Sequence, residues 1–108
     1  AVFYWVDCSD YESSILIFVR QTADSLRRVL VIMNLTPTPR EQYAVGIPEG
    51  GRWVERFNSD DRDFGGSGMG RPEGVDARSQ SVMGQPYSGV FTLPPLGVVL
   101  YSPEAQLG

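Results

Sequence analysis

Apolar residues recur along this chain with the period of β-strands. Phe3-Tyr4-Trp5-Val6-Asp7 concentrates aromatic and β-branched residues and predicts a first strand, followed by a turn over Ser9-Asp10-Tyr11-Glu12. Ile15 to Val19 is an unbroken apolar run of strand length, and Val29 to Leu35 is another, interrupted only by Asn34; both are too short for typical helices. Such runs leave no polar face for water, so both predict buried central strands. The polar segment Gln21 to Arg28 between them suits a hairpin connection, or a single helical turn over Thr22-Ala23-Asp24-Ser25-Leu26.

Proline and glycine punctuate the rest. Thr36-Pro37-Thr38-Pro39 ends the second core strand, because proline lacks the ladder N–H and drives its predecessor out of the α region. Tyr43, Val45 and Ile47 share one face of a strand closed by Pro48, and Glu49-Gly50-Gly51 is a turn. From Arg52 to Asn58 the alternation places Trp53, Glu55 and Phe57 on one face and Arg52, Val54 and Arg56 on the other. Trp53 and Phe57 are expected in the core, with Glu55 at an edge or bonded to an arginine. Asn58 to Gly74 is the least regular stretch, and a loop of that length is usually functional or covered by a neighbouring domain. Tyr87 to Leu93 and Gly97 to Tyr101 are the final strands, joined through Pro94-Pro95. The fold class is therefore all-β: an antiparallel β-sandwich of seven or eight strands with a Greek-key connection.

Composition narrows the chemistry. The chain has 108 residues, the size of one domain, and 42% of them are apolar, enough to offset the entropy of ordering. Its 12 glycines and 8 prolines exceed the usual share and agree with many turns. Histidine and lysine are both absent. That excludes, within this chain, Ser-His-Asp and Cys-His catalysis, histidine-ligated metals and the P-loop or Schiff-base lysine. A net charge of −4 disfavours nucleic acid and anionic membrane surfaces as partners. Cys8, the single cysteine, has no partner for an internal disulfide, which points to a reducing, cytoplasmic setting and to a small half-buried filler rather than a reactive thiol. No apolar run approaches the ~18 residues of a membrane span, and the start lacks a signal-peptide pattern. A chain opening Ala1-Val2-Phe3-Tyr4-Trp5 reads as part of a longer protein.

The remaining motifs favour structural readings. Asp60, Asp61 and Asp63 crowd together, but counting from Asp61 puts Gly65 and Pro72 at the fifth and twelfth positions of a calcium loop, where ligands belong. Neighbours on one loop also lack the cleft of a glycosidase carboxylate pair. Gly65-Gly66-Ser67-Gly68-Met69-Gly70 fails the dinucleotide fingerprint, since Arg71 stands where the third glycine belongs. Close backbone packing or positive φ is the better account of those glycines. Trp5, Trp53, Tyr11, Tyr43 and Tyr87 offer faces for sugar rings, although strand aromatics in a small sandwich usually form core. Asn34-Leu35-Thr36 matches the glycosylation pattern by chance, and Asn34 is expected to bond neighbouring backbone where its strand meets Pro37. No catalytic, cofactor-binding or metal-binding residue is assigned, and substrate-binding residues are unknown.

Several segments in order resemble one family, the C-terminal all-β domain of bacterial 1,4-α-glucan (glycogen) branching enzymes of the α-amylase superfamily. Phe3 to Asp7, Asp10 and Ser14-Ile15-Leu16 resemble its opening, and Arg20 closes a strand where basic residues are usual. Val29-Leu30-Val31-Ile32 with Asn34-Leu35-Thr36-Pro37, then Tyr43 to Pro48, Gly51-Arg52-Trp53 and Phe57-Asn58-Ser59-Asp60, follow at the family's spacing. Phe64 to Gly70 resembles its glycine loop, and Pro86-Tyr87-Ser88 with Leu93-Pro94-Pro95-Leu96 completes the pattern, over residues 3 to 101. Leu35, Ser59 and Phe64 replace Phe, Thr and Tyr with similar residues, while Arg71 replaces Asn and alters a loop position.

The resemblance implies that residues 1–108 form a single C-terminal β-sandwich domain of a larger enzyme, with a (β/α)₈ barrel of the same polypeptide as partner. It implies α-glucan (glycogen or amylose) as substrate of the intact enzyme, which forms α-1,6 branches from α-1,4 glucan. The catalytic carboxylates would then belong to the barrel, with no cofactor, and the glycine loop would lie near it. The alternatives are an independent carbohydrate-binding module and the equivalent domain of a trehalose-releasing hydrolase.

Overall fold

The computed structural model describes residues 2–7, 15–22, 27–60, 65, 66, 68–70 and 74–104, with residues 2–7 described by their backbone alone. Among the described residues eight strands run in chain order: β1 (Val2–Asp7), β2 (Ile15–Gln21), β3 (Arg28–Asn34), β4 (Arg40–Ile47), β5 (Gly51–Asn58), β6 (Val75–Ala77), β7 (Tyr87–Leu93) and β8 (Gly97–Pro103). There is no helix among the described residues. Every pairing is antiparallel. A six-stranded sheet has the order β1-β2-β3-β8-β5-β6, and β4 and β7 form a two-stranded ribbon. The chain crosses to the ribbon at β4 and again at β7, so the last strand is inserted between β3 and β5. This is the expected sandwich, with its Greek-key crossing made by β8.

The core lies between the two layers. Ile15, Ile17 and Val19 of β2 face it, with Leu30 and Ile32 of β3, Val99 and Tyr101 of β8, and Trp53 of β5. The ribbon contributes Val45, Ile47, Phe91 and Leu93. Tyr43 packs against this cluster, as the alternation of Tyr43, Val45 and Ile47 predicts. Phe91 and Tyr101 meet edge to face across the layers, with ring centroids 4.9 Å apart, the arrangement favoured by ring quadrupoles. The buried Trp53 indole donates to the Glu49 carbonyl at 3.2 Å, so its polar atom is satisfied.

Two expectations need correction. Phe57 is 40% exposed and not in the core. Glu55 pairs with Tyr101 while Phe57 pairs with Leu100, so Arg56 is an extra residue in a β-bulge. A bulge reverses the alternation beyond it, which turns Phe57 to the outer face. Glu55 lies beyond the stretch of β5 that β6 pairs, Gly51 to Trp53, and the Tyr101 hydroxyl donates to its Oε2 at 3.1 Å. Leu35 lies outside β3 and is 52% exposed. The short strand β6 had no sequence signal, since Val75-Asp76-Ala77 is too brief for a period.

In urea unfolding of residues 1–108, Phe91→Ala should lower stability by about 3–5 kcal/mol, as expected for emptying an aromatic core site. Phe57→Ala should cost below about 1 kcal/mol. Equal losses would contradict the bulge.

Candidate functional site

The segments singled out by their sequence converge on one end of the six-stranded sheet, where β3 ends, β8 begins and β5 ends. The register places Asn34 opposite Gly97 and Asn58 opposite Val99. Asn34 is fully buried. Its Nδ2 donates to the Thr38 carbonyl at 2.9 Å and to the Pro94 carbonyl at 3.1 Å. Its Oδ1 accepts from the Thr36 amide at 3.1 Å and the Thr36 hydroxyl at 2.7 Å. The Leu96 amide donates to the Thr36 carbonyl at 2.8 Å. The end of β3 thereby holds the Pro94–Leu96 turn that delivers β8. Both ends of the Asn34 side-chain amide are occupied, so this residue bonds neighbouring backbone as expected.

A second latch sits beside the first. The Ser59 amide donates to the Val98 carbonyl at 3.0 Å, and the Val98 amide donates to Ser59 Oγ at 2.8 Å. Asn58, also buried, accepts the Asp60 amide at 2.8 Å on Oδ1 and donates from Nδ2 to the Met69 carbonyl. Asp60 in turn accepts the Met69 amide on Oδ2 at 3.0 Å and the Gly68 amide on its carbonyl at 2.7 Å. The Asp60 carboxylate is thus a staple for the glycine loop. Gly66 lies so close to the Asp60 backbone that a Cβ there would overlap it, and Gly65 and Gly68 have φ of 82° and 84°. Close approach and positive φ are the two roles expected of these glycines.

The carboxylates in this region act as hydrogen-bond acceptors for the fold: Asp60 for the loop and Glu55 for Tyr101. Among the described residues no group of three or more Cys, Asp or Glu side chains could hold a metal ion. Of the aromatic faces considered for sugars, Trp53 is buried, and Tyr43 and Tyr87 pack against the core. Cys8, Tyr11, Asp61, Asp63, Phe64 and Arg71 lie outside the described residues, as does the side chain of Trp5. No helix of the described residues is long and apolar enough to cross a membrane. Reading the sequence linearly missed that the Asn34 and Pro94-Pro95 segments bond each other. Their separation of 60 positions leaves no local signal, beyond the presence of an isolated Asn at the end of an apolar strand.

Comparison with known proteins fits this architecture. Residues 5–104 match the family described as "Alpha amylase, C-terminal all-beta domain". The chain belongs to this family. It is 45% identical over 104 residues to the 1,4-alpha-glucan branching enzyme GlgB of Nostoc sp., covering 96% of this chain and 14% of that protein. It is 45% identical over 101 residues to the enzyme of the same name from Cereibacter sphaeroides, with 94% and 14% covered. The Aquifex aeolicus enzyme of that name is 41% identical over 102 residues, with 94% and 16% covered. The chain therefore spans about one seventh of the length of these relatives. Membership of the family accords with the all-β sandwich and with the resemblance noted in the motifs.

Gly66→Ala should destabilise the domain more than Gly65→Ala. The first puts a methyl group against backbone that cannot yield, whereas the second enters open space and meets only the ~1–2 kcal/mol cost of a left-handed conformation. Asn34→Ala should cost about 1–3 kcal/mol for each buried group left unpaired, the Pro94 carbonyl foremost. Urea midpoints of the three variants check the ranking.

Proposed function

We propose that this chain is the non-catalytic C-terminal domain, residues 1–108, of a 1,4-α-glucan branching enzyme. In this reading the parent cuts an α-1,4 glucan and rejoins the segment as an α-1,6 branch, in the cytoplasm. The observation that carries the reading is coverage: nearly all of this chain aligns with enzymes of that name, and they are about seven times longer. Supporting it, Asp60 and Glu55 are engaged in holding the fold. Retaining chemistry on a glycosidic bond needs two carboxylates about 5–5.5 Å apart on opposite sides of the bond. In this proposal the rest of the polypeptide supplies them, in a (β/α)₈ barrel. The domain stabilises that barrel and so sustains its activity on glycogen or amylose.

Residues 1–108 alone should leave amylose unchanged by its iodine absorbance, while the full-length polypeptide lowers it. The full-length polypeptide shortened by removal of the domain from Val2 onward should unfold at lower temperature and branch more slowly. Unchanged stability and branching after that truncation would defeat the proposed role. Titration of residues 1–108 with maltoheptaose, followed by amide shifts, separates this reading from a glucan receptor. Saturable shifts around exposed aromatics would favour the receptor.

A further inference from the structure

Residues 78–88 form a strap that leaves β6, passes over β4 and returns as β7. Its roots are firm: the Arg78 amide donates to the Ser88 carbonyl at 2.7 Å, and the Ser88 amide donates to the Arg78 carbonyl at 3.0 Å. Its tip is a tight turn in which Val82 and Gln85 exchange amide-to-carbonyl hydrogen bonds, at 3.2 Å and 3.0 Å. The two residues between them, Met83 and Gly84, have φ of 55° and 75°. Two successive positive φ values mark a hairpin turn that favours Asn, Asp or Gly. A methionine in the first of these places holds a left-handed backbone that its own Cβ opposes. What offsets this strain is packing. The Met83 side chain is half-buried and rests against the hydrophobic cluster. The Val82 carbonyl lies over Gly46 so closely that a Cβ there would overlap it. Hydrogen bonding does not fasten the tip to either sheet: residues 79–86 bond only Arg78, through the Gln80 amide at 2.7 Å, and one another. Ser79, Gln80, Ser81, Gly84 and Pro86 are exposed. The tip is therefore clasped chiefly by one thioether side chain, with a strained turn behind it.

We propose that Met83 is a peroxide-sensitive clasp, whose oxidation releases the strap from β4 and whose reduction closes it again. Hydrogen peroxide is the oxidant. The thioether sulfur attacks one peroxide oxygen, an S–O bond forms and the O–O bond breaks. The proton of the attacked oxygen passes to the departing hydroxide, which leaves as water. Sulfur loses two electrons and peroxide gains them. In the reverse direction two thiols become a disulfide and the sulfoxide oxygen leaves as water. The change in polarity drives the opening. A thioether packs as an apolar group, whereas a sulfoxide oxygen is a strong acceptor that is costly to hold against aliphatic and aromatic side chains. Moving the side chain into water removes that cost and lets residue 83 relax from its left-handed conformation. The paired backbones of Arg78 and Ser88 keep both roots attached, so the opening is confined to the strap and the core strands stay folded.

The test treats the full-length polypeptide with hydrogen peroxide. Oxidation sites are read by peptide mass spectrometry, and opening by amide hydrogen exchange. Met69 is exposed and should oxidise first, with the half-buried Met83 following. Once Met83 is oxidised, the peptide holding Val82 and Gln85 should exchange roughly tenfold faster, while peptides of β3 and β8 stay slow. Methionine sulfoxide reductase with a thiol should restore slow exchange. Met83→Gln should open the tip without peroxide. Met83→Leu retains Met33 and Met69, and it should stay closed and ignore peroxide. Four results would overturn the clasp: a Met83 that resists peroxide while the protein is folded, a Met83 sulfoxide with unchanged exchange at Val82 and Gln85, a closed Met83→Gln protein, or a Met83→Leu protein that still opens with peroxide. Fast exchange throughout β3 and β8 after oxidation would mean general unfolding in place of a released strap, and would overturn it as well.

Discussion

The insertion of β8 between β3 and β5 is the constraint on which the rest depends. β1, β2 and β3 form one antiparallel block, β5 and β6 another, and the ladder of described strands joins the two through β8. That strand also carries Val99 and Tyr101 into the core, and Tyr101 alone touches three strands: it pairs with Leu30 of β3, meets the Phe91 ring of β7 and donates to Glu55 of β5. The contacts with Leu30 and Glu55 are far apart in sequence, so the sheet closes only after most of the chain is in place. Fold stability is therefore concentrated on whatever aims β8 correctly.

The two polar latches do the aiming. Asn34 and Thr36 grip the turn ahead of β8 from the β3 side, and Ser59 grips its first residues from the β5 side. A buried polar group without partners would be costly, so Asn34, with all its donor and acceptor sites in use, tolerates few alternative geometries. The glycine loop is held by the same logic one step further out: Asn58 and Asp60 meet its backbone, and Gly66 permits the approach. What looked in the sequence like a phosphate cradle and an acidic cluster is, for the described residues, one hydrogen-bonded corner of a sandwich.

Much of this was legible beforehand, for identifiable reasons. Ile15 to Val19 and Val29 to Met33 are unbroken apolar runs, and such runs have few alternatives to a central strand. Tyr43, Val45 and Ile47 alternate cleanly because β4 belongs to a ribbon with one buried side. Phe57 was misplaced because a bulge leaves no mark in a hydrophobic pattern: one extra residue, Arg56, bonded to Ser102 at 2.6 Å, moves every later side chain to the opposite face. The contact of Glu55 with Tyr101 left no local signal for a related reason, since a tyrosine hydroxyl 46 positions away is set by topology alone. The corner was visible as motifs but not as a site, because pairing between distant loops is decided by strand order.

The bulge at Arg56 links the domain's interior to its surroundings. Without it, Phe57 would lie under the ribbon and the outer row would end at Leu100. With it, the aromatic ring joins Phe18, Val31 and Leu100 on a face for which the described strands provide no second layer. An unbroken apolar strand states a demand for cover on both sides. In β2 and β3 the sandwich meets half of that demand.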